Sequence, residues 1–309
     1  MKDRYMLIGL IGLFFAADSF AQKGDELLVY SMKGTVTVIE NNKESNVKIG
    51  KVLKPGSSIK TQPQAKLTMV CKQGKPLSVT KAGTFPIIKW KDSCSNGSNS
   101  MTSKFFKYMW DQLYVRSEDY KNENGDQKGS VAKNDAPVRG DKELEIEFIE
   151  GLNSMNYASG SFPLSWKTSI NYSGKYYFIL TKNKTNTTVY ADSVASNFIL
   201  LDSLKRYMRL GESYSWSVAT KRTGTSKGGI VKYQSVKIVN QQVLRFKNAV
   251  NIPEDKAAQY FRIAFSLENS GYPADAFLYY QKAATEAPEV SLYQQKLDEF
   301  KKIFRPDMF

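Results

Sequence analysis

The 309-residue sequence contains no histidine, so several classes of active site are excluded. Ser-His-Asp and Cys-His catalysis both need a histidine base, and histidine is also the commonest metal ligand. Residues 45–81 contain three Ser-x-x-Lys pairs, which begin at Ser45, Ser57 and Ser78. They fall in predicted strands or turns, whereas a serine hydrolase with a lysine base would carry such a pair on a helix. We therefore expect a protein that is not an enzyme and that has no cofactor or metal.

Aspartate and glutamate are absent from residues 45–91, in a chain whose net charge is +14. The lysines of this stretch predict an anionic partner, such as a glycan or an acidic protein of the cell envelope. The alternative is that they only protect strand edges from aggregation. The composition argues against nucleic acid as a partner, because the stretch has no arginine and few aromatic residues to stack on bases. The candidate residues are Lys48, Lys51, Lys54, Lys60, Lys66, Lys72, Lys75 and Lys81.

The first residues of the chain have the pattern of an export signal. Lys2 and Arg4 precede an apolar run at residues 6–17, and Ser19 and Ala21 are small residues at the spacing that signal peptidase reads. The run is shorter than the roughly 20 residues of a membrane-spanning helix. We expect residues 1–21 to be removed, leaving an exported chain without a membrane span, in the periplasm or on the surface of a Gram-negative bacterium. The alternative is an uncleaved anchor.

The sequence contains two cysteines, Cys71 and Cys94. Because an exported protein reaches an oxidising compartment, we expect them to form a disulfide. Two unpaired buried thiols are the alternative.

The periodicity of apolar residues divides the chain into a mainly β, multidomain protein with a helical end. Segments rich in β-branched and aromatic residues alternate with turns in both β regions. A helix is predicted at residues 103–114, with its apolar face either packed on the first β region or free for a partner. The predicted order is a signal peptide (1–21), a β domain with a C-terminal helix (22–117), a linker (118–136), a sandwich (137–245) and a helical unit (246–309).

The first β region resembles the FecR-like domain of periplasmic regulators of iron-citrate uptake. The resemblance is carried by Gly34-x-Val36-x-Val38, by Gly50-x-x-Leu53-x-x-Gly56-x-x-Ile59-x-Thr61 and by Ala65-x-Leu67. It implies a small β domain. The acidic turn of the family is replaced here by Gln73-Gly74-Lys75, so the resemblance does not imply the partner of the family.

The second β region is similar to a fibronectin type III or immunoglobulin-like sandwich. Leu164-x-Trp166 resembles an early core strand of that fold, and Tyr214-x-Trp216-x-Val218 resembles the late strand that bears a tyrosine corner. In such a corner the tyrosine hydroxyl is hydrogen-bonded to the backbone of the preceding turn. The resemblance implies a spacer or a binding module.

Nine C-terminal positions resemble one tetratricopeptide repeat. The resemblance implies a hairpin of two helices with a third helix at 291–304 as a cap. One repeat rarely buries enough surface, so we expect the hairpin to dock on the sandwich or on another chain. The positions are Tyr260, Ile263, Ala264, Leu267, Gly271, Ala276, Tyr280, Ala283 and Pro288.

Together these features predict an exported binding or scaffold protein of the bacterial envelope. The basic β domain would contact an anionic or glycan partner, and the helical unit would contact a protein. The alternative is a membrane-anchored signalling adaptor related to FecR-type periplasmic sensors. The sequence does not predict the oligomeric state.

Overall fold

The computed structural model describes residues 26–94, 99–122, 145–149, 151–169, 172–222 and 227–304. The predicted signal peptide lies outside the described residues, as do residues 123–136 of the predicted linker. The described chain has two β-rich regions, each built from two sheets, followed by four helices. The prediction of a mixed, β-rich fold with a helical C-terminus is confirmed. None of the described helices combines the length and the apolarity that crossing a bilayer requires.

The first β region consists of two antiparallel sheets of four strands each. Its strands are β1 (Leu27–Lys33), β2 (Val36–Glu40), β3 (Lys43–Asn46), β4 (Val52–Leu53), β5 (Ser58–Thr61), β6 (Lys66–Cys71), β7 (Pro76–Val79) and β8 (Gly83–Pro86). The first sheet has the order β4-β1-β6-β7, and the second sheet has the order β3-β2-β5-β8.

Strand β1 is buried on both of its faces. Leu27 and Val29 lie in the core between the two sheets, together with Ile59 of β5. Leu28 and Tyr30 belong to a second, larger core that extends through the rest of the chain. A strand that is covered on both sides needs an uninterrupted apolar run, and the first four residues of β1 provide one. On the second sheet, β3 is exposed along its whole length, so the outer face of that sheet is open.

A long helix, α1 (Met101–Asn122), covers the outer face of the first sheet. The ring of Tyr30 packs edge-to-face against Phe106, with 5.1 Å between the ring centroids. The interpretation that the apolar face of this helix packs on the first β region is confirmed. The buried residues of that face are Phe105, Phe106, Met109, Trp110 and Leu113.

The observed helix is longer than the predicted residues 103–114. Residues 118–122, which were assigned to the linker 118–136, are helical instead. Residues 101–122 contain no proline and no glycine, so nothing in their sequence interrupts the helix. The polar composition of residues 118–122 indicates an exposed segment but does not distinguish a helix from a linker.

The second β region has a sheet of five strands and a sheet of three. Its strands are β9 (Ile146–Phe148), β10 (Ser154–Tyr157), β11 (Pro163–Thr168), β12 (Tyr176–Lys182), β13 (Thr187–Val194), β14 (Phe198–Leu200), β15 (Ser213–Ala219) and β16 (Lys227–Tyr233). The five-stranded sheet has the order β10-β16-β15-β12-β13, and the three-stranded sheet has the order β14-β11-β9. All pairs are antiparallel except β10 with β16.

Stacked aromatic rings join these two sheets face to face. The ring centroids of Trp166 and Phe178 are 6.4 Å apart, and those of Phe178 and Trp216 are 6.2 Å apart. Each of the three side chains is at least 99 % buried. Between β14 and β15 the chain forms a short helix, α2 (Leu201–Leu204), and a 3₁₀ turn, Lys205–Tyr207.

The C-terminal helices are α3 (Val236–Asn248), α4 (Lys256–Asn269), α5 (Pro273–Glu286) and α6 (Ser291–Phe304). Gly271 ends α4 in a left-handed conformation, with φ of 75°, and Pro273 is the first residue of α5, as predicted. Helix α3 packs on α4, and α6 packs on α5. The hairpin of α4 and α5 is thus covered on both sides.

Helix α3 corrects the predicted sandwich boundary of residues 137–245. The last strand ends at Tyr233, and the helix begins at Val236. The hydroxyl of Ser235 accepts a hydrogen bond from the backbone N–H of Ile238, and so caps the helix. Val239 and Phe246 are buried on one face. These residues have helical spacing, and a strand could not bury both on the same side.

The helical unit docks on both β regions of its own chain. Thr68 of β6 donates a hydrogen bond to the carbonyl of Pro253 (2.6 Å), and Ser31 of β1 donates one to Asp255 (2.7 Å). On the other side, the backbone N–H of Asn156 in β10 donates to the carbonyl of Gly271 (2.7 Å). The expectation that the hairpin docks on the sandwich is therefore met, with a second contact to the first β region that was not predicted.

Candidate functional site

The eight candidate lysines are distributed around the first β region and do not form one patch. Lys66 begins β6, and Lys81 lies in the turn between β7 and β8. Lys60 of β5 lies on the open face of the second sheet, opposite Thr37 and Thr84. Lys48 and Lys51 lie in the connection between β3 and β4. The remaining three, Lys54, Lys72 and Lys75, lie in turns at the end of the region that is opposite to Lys66 and Lys81.

One end of the region, which we call the basic end, contains a lysine that sequence analysis missed. Strand register places Lys33 directly opposite Lys66, and both side chains are exposed. The hydroxyl of Thr61 donates a hydrogen bond to the carbonyl of Lys81 (2.7 Å), which fixes that turn beside the end of β5. We define the basic end by Lys33, Lys66 and Lys81. Lys33 precedes the acid-free stretch, so only strand pairing brings it close to Lys66.

Two of the eight candidate lysines are neutralised by carboxylates. Lys51 pairs with Glu40 at 2.8 Å, and Lys60 pairs with Glu44 at 3.2 Å. A hydrogen bond from the Thr37 hydroxyl and the ammonium group of Lys60 together lower the pKa of Glu44, so this carboxylate stays charged. Within the described residues, no carboxylate lies within 4.0 Å of the other six candidate lysines or of Lys33.

The electrostatics of the basic end favour an external anion. Like charges directly opposite each other on neighbouring strands destabilise a sheet. An anion bound between Lys33 and Lys66 would relieve that repulsion. Because the side chains are long and exposed, they can follow a ligand of variable shape. The arrangement suits a polyanion better than a small molecule with fixed geometry.

The predicted disulfide is present between Cys71 and Cys94, whose Cα atoms are 5.6 Å apart. It joins the end of β6 to a 3₁₀ helix, Ile87–Cys94, and both cysteines are buried. The alternative of two unpaired thiols is excluded. The bond attaches this 3₁₀ helix to β6, and the ring of Trp90 within the helix also lies 6.3 Å from that of Phe85 in β8.

Most of the nine repeat positions are used inside the chain. Gly271 and Pro288 lie at helix ends, and Tyr260 is only half-buried. Tyr280 donates a hydrogen bond to Glu268 (2.5 Å), linking α5 to α4. These positions hold the helices together and leave little surface for another protein. The fully buried members are Ile263, Ala264, Leu267, Ala276, Tyr280 and Ala283.

The three Ser-x-x-Lys pairs of residues 45–81 do not form the helical arrangement that a lysine-activated serine would use. Ser45 and Ser78 lie in strands, and the hydroxyl of Ser57 donates a hydrogen bond to the carbonyl of Lys54 (2.7 Å). Across the part of the chain that the structure describes, no group of three Cys, Asp or Glu side chains could hold a metal ion.

No protein-family model and no curated protein matches the chain. Among solved structures, it is similar to a chain from a study of host cell surface retention of a 1.5-MDa bacterial ice-binding adhesin. The sequence identity is 12 %, and the similarity covers 66 % of this chain and 55 % of the other, or about half its length. The TM-score of 0.16 does not indicate a shared fold.

Proposed function

We propose that this chain is an exported, non-enzymatic binding and scaffold protein of the bacterial envelope, whose first β region binds an anionic glycan. The observation that carries the proposal is the set of exposed lysines at the basic end, Lys33, Lys66 and Lys81, which have no carboxylate partner among the described residues. The disulfide is compatible with export into an oxidising compartment.

We also infer domain relationships finer than the two-sheet architecture. The first β region would be a FecR-like domain, and the second a fibronectin type III or immunoglobulin-like sandwich. A hydrogen bond from the backbone N–H of Arg209 to the hydroxyl of Tyr214 (2.7 Å) supports the second inference, since it has the geometry of a tyrosine corner. The glycine and proline positions of α4 and α5 support a tetratricopeptide-like hairpin.

In this proposal the helical unit acts as the joint of the scaffold. Its hydrogen bonds to β1 and β6 on one side, and to β10 on the other, connect the two β regions. The basic end would then be presented at a fixed orientation to the rest of the chain. The exposed Leu278 on α5 leaves a place for a protein contact, but the repeat positions themselves are occupied.

Binding of the full mature chain to heparin, used as a sulfated polymer, tests the proposal. The triple variant Lys33→Gln, Lys66→Gln, Lys81→Gln removes the basic end. The matched control Lys54→Gln, Lys72→Gln, Lys75→Gln removes the same charge from the opposite end. If each lysine of the basic end contributes about 1 kcal/mol to attraction by a highly charged polymer bound there, the first variant loses about 100-fold in affinity at low salt.

The salt dependence of binding gives a second measurement. Wild-type affinity should fall steeply as salt rises from about 50 mM to about 500 mM, because exposed charges are screened. The basic-end variant should show a shallower dependence, and the control variant should remain close to wild type. Salt-insensitive binding, the absence of binding at low salt, or equal losses in both variants would each overturn the proposal.

A further inference from the structure

The second β region contains a polar pocket that is lined by residues of that region and by none of the basic end. Its volume is about 450 Å³, which lies within the range of small-molecule sites. The walls come from the end of β12, the β12–β13 turn and the segment between α2 and β15. Its lining includes Lys182, Thr185, Thr187, Arg206, Tyr207 and Arg209.

The pocket is positively charged. Lys182, Arg206 and Arg209 line it, and no acidic side chain does. Lys182 is paired with Glu212 at 3.0 Å, outside the lining. The guanidinium of Arg206 lies 4.9 Å from the ring centroid of Tyr207, and both arginines are exposed. Within the described residues, neither arginine has a carboxylate within 4.0 Å, so two positive charges remain without a counter-charge.

The wall that carries Arg209 is held by hydrogen bonds before any ligand arrives. Its backbone N–H donates to the buried hydroxyl of Tyr214 (2.7 Å). Two residues later, the backbone N–H of Gly211 donates a hydrogen bond to the carbonyl of Tyr233 (2.7 Å). Gly211 has a φ of 82°, a left-handed conformation that closes the turn. A site whose backbone is fixed in advance loses less conformational entropy on binding than a loose one.

We propose that this pocket binds a small anionic saccharide through its carboxylate, sulfate or phosphate group. Two guanidinium groups can each give paired hydrogen bonds to such an oxyanion, with a geometry that lysine does not offer. The side chains of Thr185 and Thr187 also line the pocket, and the hydroxyl of Thr187, which donates a hydrogen bond to the carbonyl of Thr185 (3.3 Å), can still accept one from a hydroxylated ligand. The half-buried ring of Tyr207 provides a flat wall. This site is separate from the basic end and does not depend on the function proposed for it.

Binding of glucuronate and of a sulfated glucosamine to the full mature chain, measured by NMR titration, tests this proposal. Uncharged glucose and inorganic sulfate are the two reference probes. The anionic sugars should bind more tightly than either reference, and the resonances of Thr185, Thr187 and Tyr207 should shift. Arg206→Gln and Arg209→Gln should each weaken binding about tenfold, since each removes a charge-assisted hydrogen bond.

Arg245→Gln is the matched control, because Arg245 is an exposed arginine on α3, outside the pocket. It should leave the affinity unchanged, as should the basic-end lysine variant. Equal binding of glucose would overturn the role of the anion, and equal binding of inorganic sulfate would overturn the role of the sugar. Unshifted Thr187 and Tyr207 resonances in the wild-type chain would overturn the site itself, even if one arginine variant failed to fold.

Discussion

Glu254 and Arg262 form a bidentate ion pair that is buried where the first β region meets the C-terminal helices. Nε and Nη2 of Arg262 each lie 2.7 Å from a different carboxylate oxygen of Glu254. The side chain of Arg262 is 2 % exposed, and that of Glu254 is 3 % exposed. Burial alone would lower the pKa of Arg262, but its hydrogen bonds to Glu254 raise it. The hydroxyl of Tyr30 in β1 also donates to Glu254 (2.9 Å). One charge pair therefore connects strand β1 with helix α4.

Replacing Glu254 by glutamine should destabilise the protein strongly. The variant leaves the guanidinium of Arg262 buried without its counter-charge, and breaking a buried pair in this way costs about 3–5 kcal/mol. Urea unfolding measures the loss. The control is Glu286→Gln, which breaks the exposed pair with Lys256 at 3.5 Å and should cost less than about 1 kcal/mol. Similar losses in the two variants would show that the buried pair does not stabilise the contact between the first β region and the C-terminal helices.

The disulfide should stabilise the first β region mainly by restricting the unfolded chain. Cys71 and Cys94 are 23 residues apart, and a loop of this length corresponds to about 3 kcal/mol in the chain-entropy model. Cys71→Ser combined with Cys94→Ser should therefore lower the free energy of unfolding by about that amount. Adding a reductant should destabilise the wild type and leave the double variant unchanged. A reductant effect in the double variant would contradict this assignment.

Several local features of the fold could be predicted from the sequence because their causes are local. The apolar run at the start of β1, the helical spacing from Phe105 to Leu113, and the Gly271 and Pro273 signals each depend on a few neighbouring residues. Helix α3 was missed, although Ser235 supplies a cap signal. Its apolar residues follow a β pattern directly, and the region was read as a continuation of the sandwich.

Long-range relationships could not be predicted in the same way. The hydrogen bond from Thr68 to Pro253 joins residues that are 185 positions apart, and no periodicity encodes it. Lys33 approaches Lys66 only through strand register. The candidate lysines could be found from composition, because they lie in one acid-free stretch. Arg206 and Arg209 could not, because the pocket that they line forms only when the turn held by Tyr214 is folded.

Export should remove residues 1–21. Small residues at positions 19 and 21 favour cleavage after Ala21, so the mature chain should begin at Gln22. N-terminal sequencing or intact mass of the protein recovered from the envelope fraction measures the cleavage site. Ala21→Leu should block cleavage and leave the longer chain associated with membranes. A wild-type protein that retains residues 1–21 would instead support the anchored signalling adaptor.

Asp275 should make stability depend on pH in the weakly acidic range. It lies in the first turn of α5 with 8 % of its surface exposed, and one of its carboxyl oxygens has no hydrogen-bond partner among the described residues. Burial raises the pKa of Asp275 to about 6 from 3.8, against the opposing effect of a backbone hydrogen bond. The folded chain thus holds a proton that the unfolded chain releases at lower pH. This contribution to stability is fully present below about pH 3.8 and is lost as pH rises through 6.

Asp275→Asn removes this titration, because an amide stays neutral at all of these pH values. The free energy of unfolding of the variant, minus that of the wild type, should rise between pH 4 and pH 6 by on the order of 2 kcal/mol and then stay level. A constant offset from altered hydrogen bonding would not change that slope. Asp298→Asn, at an exposed position on α6, is the control for removing one carboxylate from the helical unit. Parallel pH profiles for wild type and Asp275→Asn would mean that this carboxyl titrates normally in the folded chain.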